Sequence, residues 1–160
     1  MTTIYRAIAG RIRTELQELA QVVERATRIW QQVIVSTDDY YVDAAALNLH
    51  GFYAGIERLF GVIADGIDQA RLSGPFWHQE LLRQMAAEIP GIRPPVLSLA
   101  TRDRLDRYRG FRHVVRNVYT FNLDAEQIEI LIKQLPSTME QVSEDLLGFA
   151  DFLERLAEAE

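Results

Sequence analysis

The chain has 160 residues, 48% apolar and 25% charged, with nine glycines and five prolines: the length of one domain, 1–160, and a composition that folds rather than stays disordered. There is no cysteine, which excludes disulfides, thiolate metal sites and thiol nucleophiles. A net charge of −6 argues at first sight against nucleic acid as a partner, and the lack of any charge-poor run of about 18 residues predicts that no helix spans a membrane.

Near the N-terminus, Arg6, Arg11, Arg13, Glu15 and Glu18 interrupt what would have to be the apolar stretch of a signal peptide, so a cytoplasmic location is expected. Ile4, Ile8, Ile12, Leu16, Leu19, Val23, Ala26, Trp30 and Val33 recur at three- and four-residue steps, which predicts one long amphipathic helix over 3–34. Ser36, Thr37, Asp38 and Asp39 end it and cap a second helix, expected over 39–69 on Val42, Ala45, Leu49, Phe52, Tyr53, Ile56, Phe60 and Ile63. Gly51 and Gly55 within it are read as points of close helix packing, because the apolar span that a membrane motif needs is missing.

Ser73, Gly74 and Pro75 break the chain before a short helix, expected over 76–88, with Trp77, Leu81, Leu82 and Met85 inward. The segment from Ile89 to Pro95 holds three prolines and is expected to be a stiff, extended connector running across the bundle. A fourth helix is predicted over 98–121. A fifth should start at an Asp124 cap paired with Gln127, and be kinked or broken at Pro136. No strand-like alternation and no repeat occurs, so the expected fold is all-α, an up-and-down bundle of about five helices.

Charge is distributed unevenly. Between Arg102 and Asn117 six arginines face two acids, a local +4 that leaves −10 for the remainder. On a helical wheel at about 100° per residue, Tyr108, Phe111, Val115 and Val118 gather on one side and should pack inward. Arg109, His113, Arg116 and Thr120 line up on the other within roughly 60°; Arg112 and Asn117 flank that line. Guanidinium groups beside an imidazole favour its neutral, proton-accepting form and can bind an anion, so the face has the parts for metal-free phosphodiester cleavage. Arginine-rich helix faces are also common as solvated surfaces and as partners of acidic neighbours.

Several segments together resemble the HepT-like branch of the HEPN proteins: Tyr108 to Asp124, with Phe111-Arg112-His113, Arg116-Asn117 and Tyr119; Leu49-His50-Gly51-Phe52-Tyr53 with Glu57-Arg58; Trp77-His78-Gln79 to Met85; and Arg93-Pro94. The resemblance implies a HEPN-like bundle, homodimeric, with signature helices lining a cleft. It implies a ribonuclease toxin paired with a minimal nucleotidyltransferase antitoxin that modifies a tyrosine. The wheel and the resemblance together point to Arg109, Arg112, His113 and Arg116 as the catalytic group, with Asn117 and Thr120 against RNA, and Tyr119 is the nearest tyrosine for the modification. Arg107 and His113 satisfy the general spacing of Arg, four to six residues, then His, but six positions turn Arg107 roughly 120° away from His113. Position 115 is Val where the HepT form carries tyrosine.

His50 and His78 are read as hydrogen-bonded structural histidines. No Glu-x-x-His pair, phosphate loop or dinucleotide fingerprint occurs, so neither metal nor cofactor is expected. The alternative to catalysis is a binding module that docks the nucleotidyltransferase or a phosphate ligand through the arginine-rich helix, and a plain dimeric scaffold comes third.

Overall fold

A computed structural model describes residues 1–160 and contains helices but no strands: α1 (Thr2–Val35), α2 (Tyr40–Ile63), α3 (Trp77–Met85), α4 (Leu99–Asn117) and α5 (Ala125–Ala159). The all-α bundle expected from periodicity is the fold. α1 packs between α2 and α5, while α4 lies on α2 and α5, and α3 bridges α2 and α4. The start of α1 meets the end of α5, where Thr2 Oγ1 donates to Glu160 Oε2 at 2.7 Å and Arg13 pairs with Asp151 and Glu154, so the two longest helices run antiparallel. No helix is long and apolar enough to cross a membrane.

One contiguous apolar core runs through all five helices, with Ile12, Leu49, Phe52, Ile56, Phe60, Tyr108, Phe111, Leu135, Val142 and Leu146 among its members. The α1 and α2 stripes meet closely at Gly55, where a Cβ would stand 2.8 Å from Leu19 Cδ2; at Gly51 nothing lies within 4 Å, so only one of the two glycines serves close packing. Asp38 rather than Asp39 caps α2, accepting from Tyr40 N at 2.9 Å. Ser98 accepts from Thr101 N to start α4, and Asp124 accepts from Glu126 N to start α5.

Two expectations are corrected, and of the kink or break expected at Pro136 the break does not occur. α5 continues through Pro136 without a break. The proline removes one backbone donor, and the Ser137 and Thr138 hydroxyls both donate to Gln134 O beside it while apolar packing persists on either side. The connector is not an extended strut: Pro90 and Gly91, the latter at φ +77°, make a tight turn closed by two backbone hydrogen bonds of 3.0 Å between Ile89 and Arg93. α4 stops at Asn117, with Val118 extended and 38% exposed, because the chain must leave the helix there to reverse into α5. Thr120 therefore does not continue the arginine face.

α2 ends in a wide π turn, Ala64–Asp68, that leaves Asp68 inside the protein. Its carboxylate binds Arg93 at 2.5 and 2.8 Å, with both side chains fully inaccessible. Arg93 spends its remaining donors on the carbonyls of Gln84, Ala87 and Pro94, and Gln84 Nε2 completes the shell of Asp68. The 86–97 segment is thereby tied to the end of α2 ahead of α4.

Tyr108 donates to Leu131 O at 2.7 Å, and burial pushes its hydroxyl up to about 12. Burial likewise raises Tyr53, with Glu57 adding to the effect. The folded state holds these protons where the unfolded chain releases them, so the stability they contribute is complete below pH 10 and is lost as pH rises toward about 12. Alkaline titration followed at 295 nm should show two of the six tyrosines ionising only together with loss of helical circular dichroism. Six tyrosines titrating normally in a folded protein would contradict this.

Candidate functional site

Leu105, Tyr108 and Phe111 are the buried stripe of α4, and burying them turns Arg109, Arg112, His113 and Arg116 toward α3. Across from them stand Pro75, Phe76, His78 and Gln79, and these eight residues line a cavity of about 310 Å³. Only Phe76 and Pro75 lack a strongly polar side chain, so the space suits an anion better than an apolar ligand. A second depression continues the groove past Gln79 and Arg109 to Arg83 and Arg102, where Asp103 and Asp106 also lie.

Glu57 of α2 is 7% exposed and lies beneath the cavity wall. One of its oxygens accepts from Arg112 Nη1 and the other from His78 Nδ1, the latter at 2.7 Å. His78 Nδ1 and Arg112 Nη1 are 3.4 Å apart, a contact between two donors that share the carboxylate. Arg112 Nε is buried without a partner. Arg109 is held by Asp106 at 2.7 Å, so Arg116 alone of the cavity arginines has no carboxylate partner. Burial lowers the pKa of His50; the charges of Arg112 and Arg116 add to the shift and Glu57 opposes it, which places this third histidine in the same electrostatic environment.

His113 is exposed. Asn117 donates to the His113 carbonyl at 2.7 Å, and its amide nitrogen lies 3.5 Å from Nδ1. Thr120 sits in a short 3₁₀ turn beyond α4 and does not line the cavity. Tyr119 is 74% exposed, its ring stacked on Phe121 with centroids 5.6 Å apart. Arg107 donates to Gln134 and Arg104 to Ser137, both on α5, so Arg107 points away from the cavity although it satisfies the motif spacing.

Glu57, His78 and Gln79 are the residues that sequence reasoning did not bring to the site. A signal for Glu57 was present: a carboxylate in the middle of the apolar run Phe52, Tyr53, Ile56, Leu59, Phe60 must have partners if it is to be buried. Replacing Glu57 with Ala leaves Arg112 and His78 without their shared acceptor, and the expected loss is roughly 2–4 kcal/mol in urea unfolding. Glu57→Gln, which keeps one acceptor oxygen, should lose less. An unchanged midpoint for Glu57→Ala would show that the pair contributes nothing to folding.

No group of three or more His, Asp or Glu side chains is placed to hold a metal ion. In comparison with known proteins, the family model described as HepT-like protein matches residues 44–153. That span takes in most of α2, all of α3 and α4 and most of α5, and so every residue lining the cavity. No curated protein and no solved structure gives a significant match.

Proposed function

This chain belongs to the HepT-like protein family, a HEPN-type helical domain, and from that premise we propose that it is a toxin component acting as a metal-independent endoribonuclease. The observation that carries the proposal is the cavity that gathers His113 with Arg109, Arg112 and Arg116 on one wall. His113 takes the proton from a ribose 2′-hydroxyl. The guanidinium groups hold the phosphate and stabilise the charge that builds on its oxygens. Asn117, one turn beyond His113, contacts the RNA beside the cavity. Thr120, outside the cavity, is left to contact a neighbouring part of the RNA. The −6 of the whole chain is compatible with RNA because the basic groups are concentrated on α4, along the groove that continues toward Arg102 and Arg83.

The proposal extends to a cytoplasmic, single-domain homodimer held in check by a minimal nucleotidyltransferase that modifies Tyr119, whose exposed ring leaves the hydroxyl accessible. Incubation of purified protein with RNA in EDTA, beside His113→Ala, tests the catalytic part. Cleavage by the wild type alone is expected; equal cleavage by both, or none by either, ends the proposal.

Val115, standing where the HepT form carries tyrosine, favours a second reading in which the same face only binds, docking an acidic partner or a nucleotide phosphate. A salt-sensitive complex with the nucleotidyltransferase, formed by a protein that cleaves no RNA, is its expected result.

A further inference from the structure

We infer that His78 is a second catalytic residue of this cavity, the general acid that protonates the leaving group, with Glu57 as its positioning residue. The inference rests on the ribonuclease reading and assigns a step that His113 alone leaves open. Cleavage through a 2′-oxygen requires two proton transfers, one from the attacking hydroxyl and one to the departing 5′-oxygen, because an unprotonated alkoxide is a poor leaving group.

Two imidazoles line the cavity, from opposite walls: His113 on α4 and His78 on α3. Their surroundings differ in a way that separates their roles. His113 is exposed, among Arg109, Arg112 and Arg116. His78 is 27% exposed and its Nδ1 is held at 2.7 Å by the buried Glu57 carboxylate. That bond fixes the ring and commits Nδ1 to the carboxylate, leaving Nε2 as the remaining proton-transfer atom. The Trp77 indole lies against the same ring, centroids 3.6 Å apart and tilted 31°, and restricts its rotation. Arg112 Nη1 lies 3.4 Å from His78 Nδ1 and pairs with the other oxygen of the same carboxylate.

The step balances. The 2′-oxygen attacks phosphorus and the bond from phosphorus to the 5′-oxygen breaks. His113 takes the 2′-hydroxyl proton and Nε2 of His78 delivers one to the 5′-oxygen. The products are a 2′,3′-cyclic phosphate and a free 5′-hydroxyl, and exchange with water restores both histidines.

The test uses full-length protein and two RNA substrates, one with the natural 5′-oxygen and one with a bridging 5′-sulfur, which leaves as a thiolate and needs no proton. His78→Gln is expected to lose about 10²–10⁴ in rate on the oxygen substrate and to cleave the sulfur substrate nearly as well as wild type. His113→Ala should be slow on both. For the wild type, log kcat/KM against pH is bell-shaped, and Glu57→Gln moves its falling limb to lower pH. If wild type cleaves while His78→Gln is equally impaired on both substrates, or on neither, the acid assignment is wrong and the ribonuclease reading stands. A wild-type profile with no falling limb overturns the assignment without recourse to any variant. If wild type cleaves neither substrate, the ribonuclease reading fails and takes the assignment with it.

Discussion

Asp68→Ala is expected to destabilise the protein by about 3–5 kcal/mol, read as a fall in the urea midpoint with little change in slope. The side chains of Asp68 and Arg93 are both wholly inaccessible, so removing the carboxylate strands a guanidinium that water cannot reach. The three carbonyls of Gln84, Ala87 and Pro94 would still accept from Arg93, but they supply no countercharge. The double variant Asp68→Leu, Arg93→Met removes both charges and should recover part of the loss, the remainder reflecting the carbonyls of Gln84, Ala87 and Pro94 left without their donor. A single variant within about 1 kcal/mol of wild type would show that the site relaxes to admit water. Because the pair ties the 86–97 segment to the end of α2, a larger loss of protection from hydrogen exchange is expected there than in α1 or α5.

His113→Ala should lower the cleavage rate by about 10²–10⁴, the range for losing a positioned general base, and leave the unfolding midpoint unchanged. The imidazole is exposed and carries no core contact, so fold and activity separate cleanly at this position. Single-turnover cleavage in EDTA measures the loss in the chemical step rather than in binding. Arg107→Ala is the matched control. Arg107 satisfies the motif spacing, yet its guanidinium donates to Gln134 on α5 and lies outside the cavity, so its removal should change the rate little. If Arg107→Ala falls as far as His113→Ala, the arginine chosen by spacing, not the one chosen by position, meets the phosphate.

Much of this was already legible along the chain. Apolar spacing of three and four marks all five helices and nearly all of their buried faces, because core contact imposes that period on whatever residues fill it. Local +4 charge on the fourth helix marks the segment that carries Arg109, Arg112, His113 and Arg116. The errors lie where local preference met a tertiary demand. Pro136 reads as a kink or a break, and the break is absent because packing on both sides holds α5 continuous. Prolines at 90, 94 and 95 read as an extended strut, yet Arg93 had to fold inward to reach Asp68, and a turn at Pro90-Gly91 brings it there.

What the sequence by itself determined is therefore the helical bundle, its core faces and the helix bearing the basic groups, since each depends on contacts or charges close along the chain. Only the tertiary structure decided the membership of the cavity and of the ion cluster beneath its wall. Glu57, His78 and Arg112 lie 21 and 34 positions apart on three different helices, and no periodicity relates them. They meet because α3 is folded onto α2 and α4, and a buried carboxylate is stable there only with both of its partners in place.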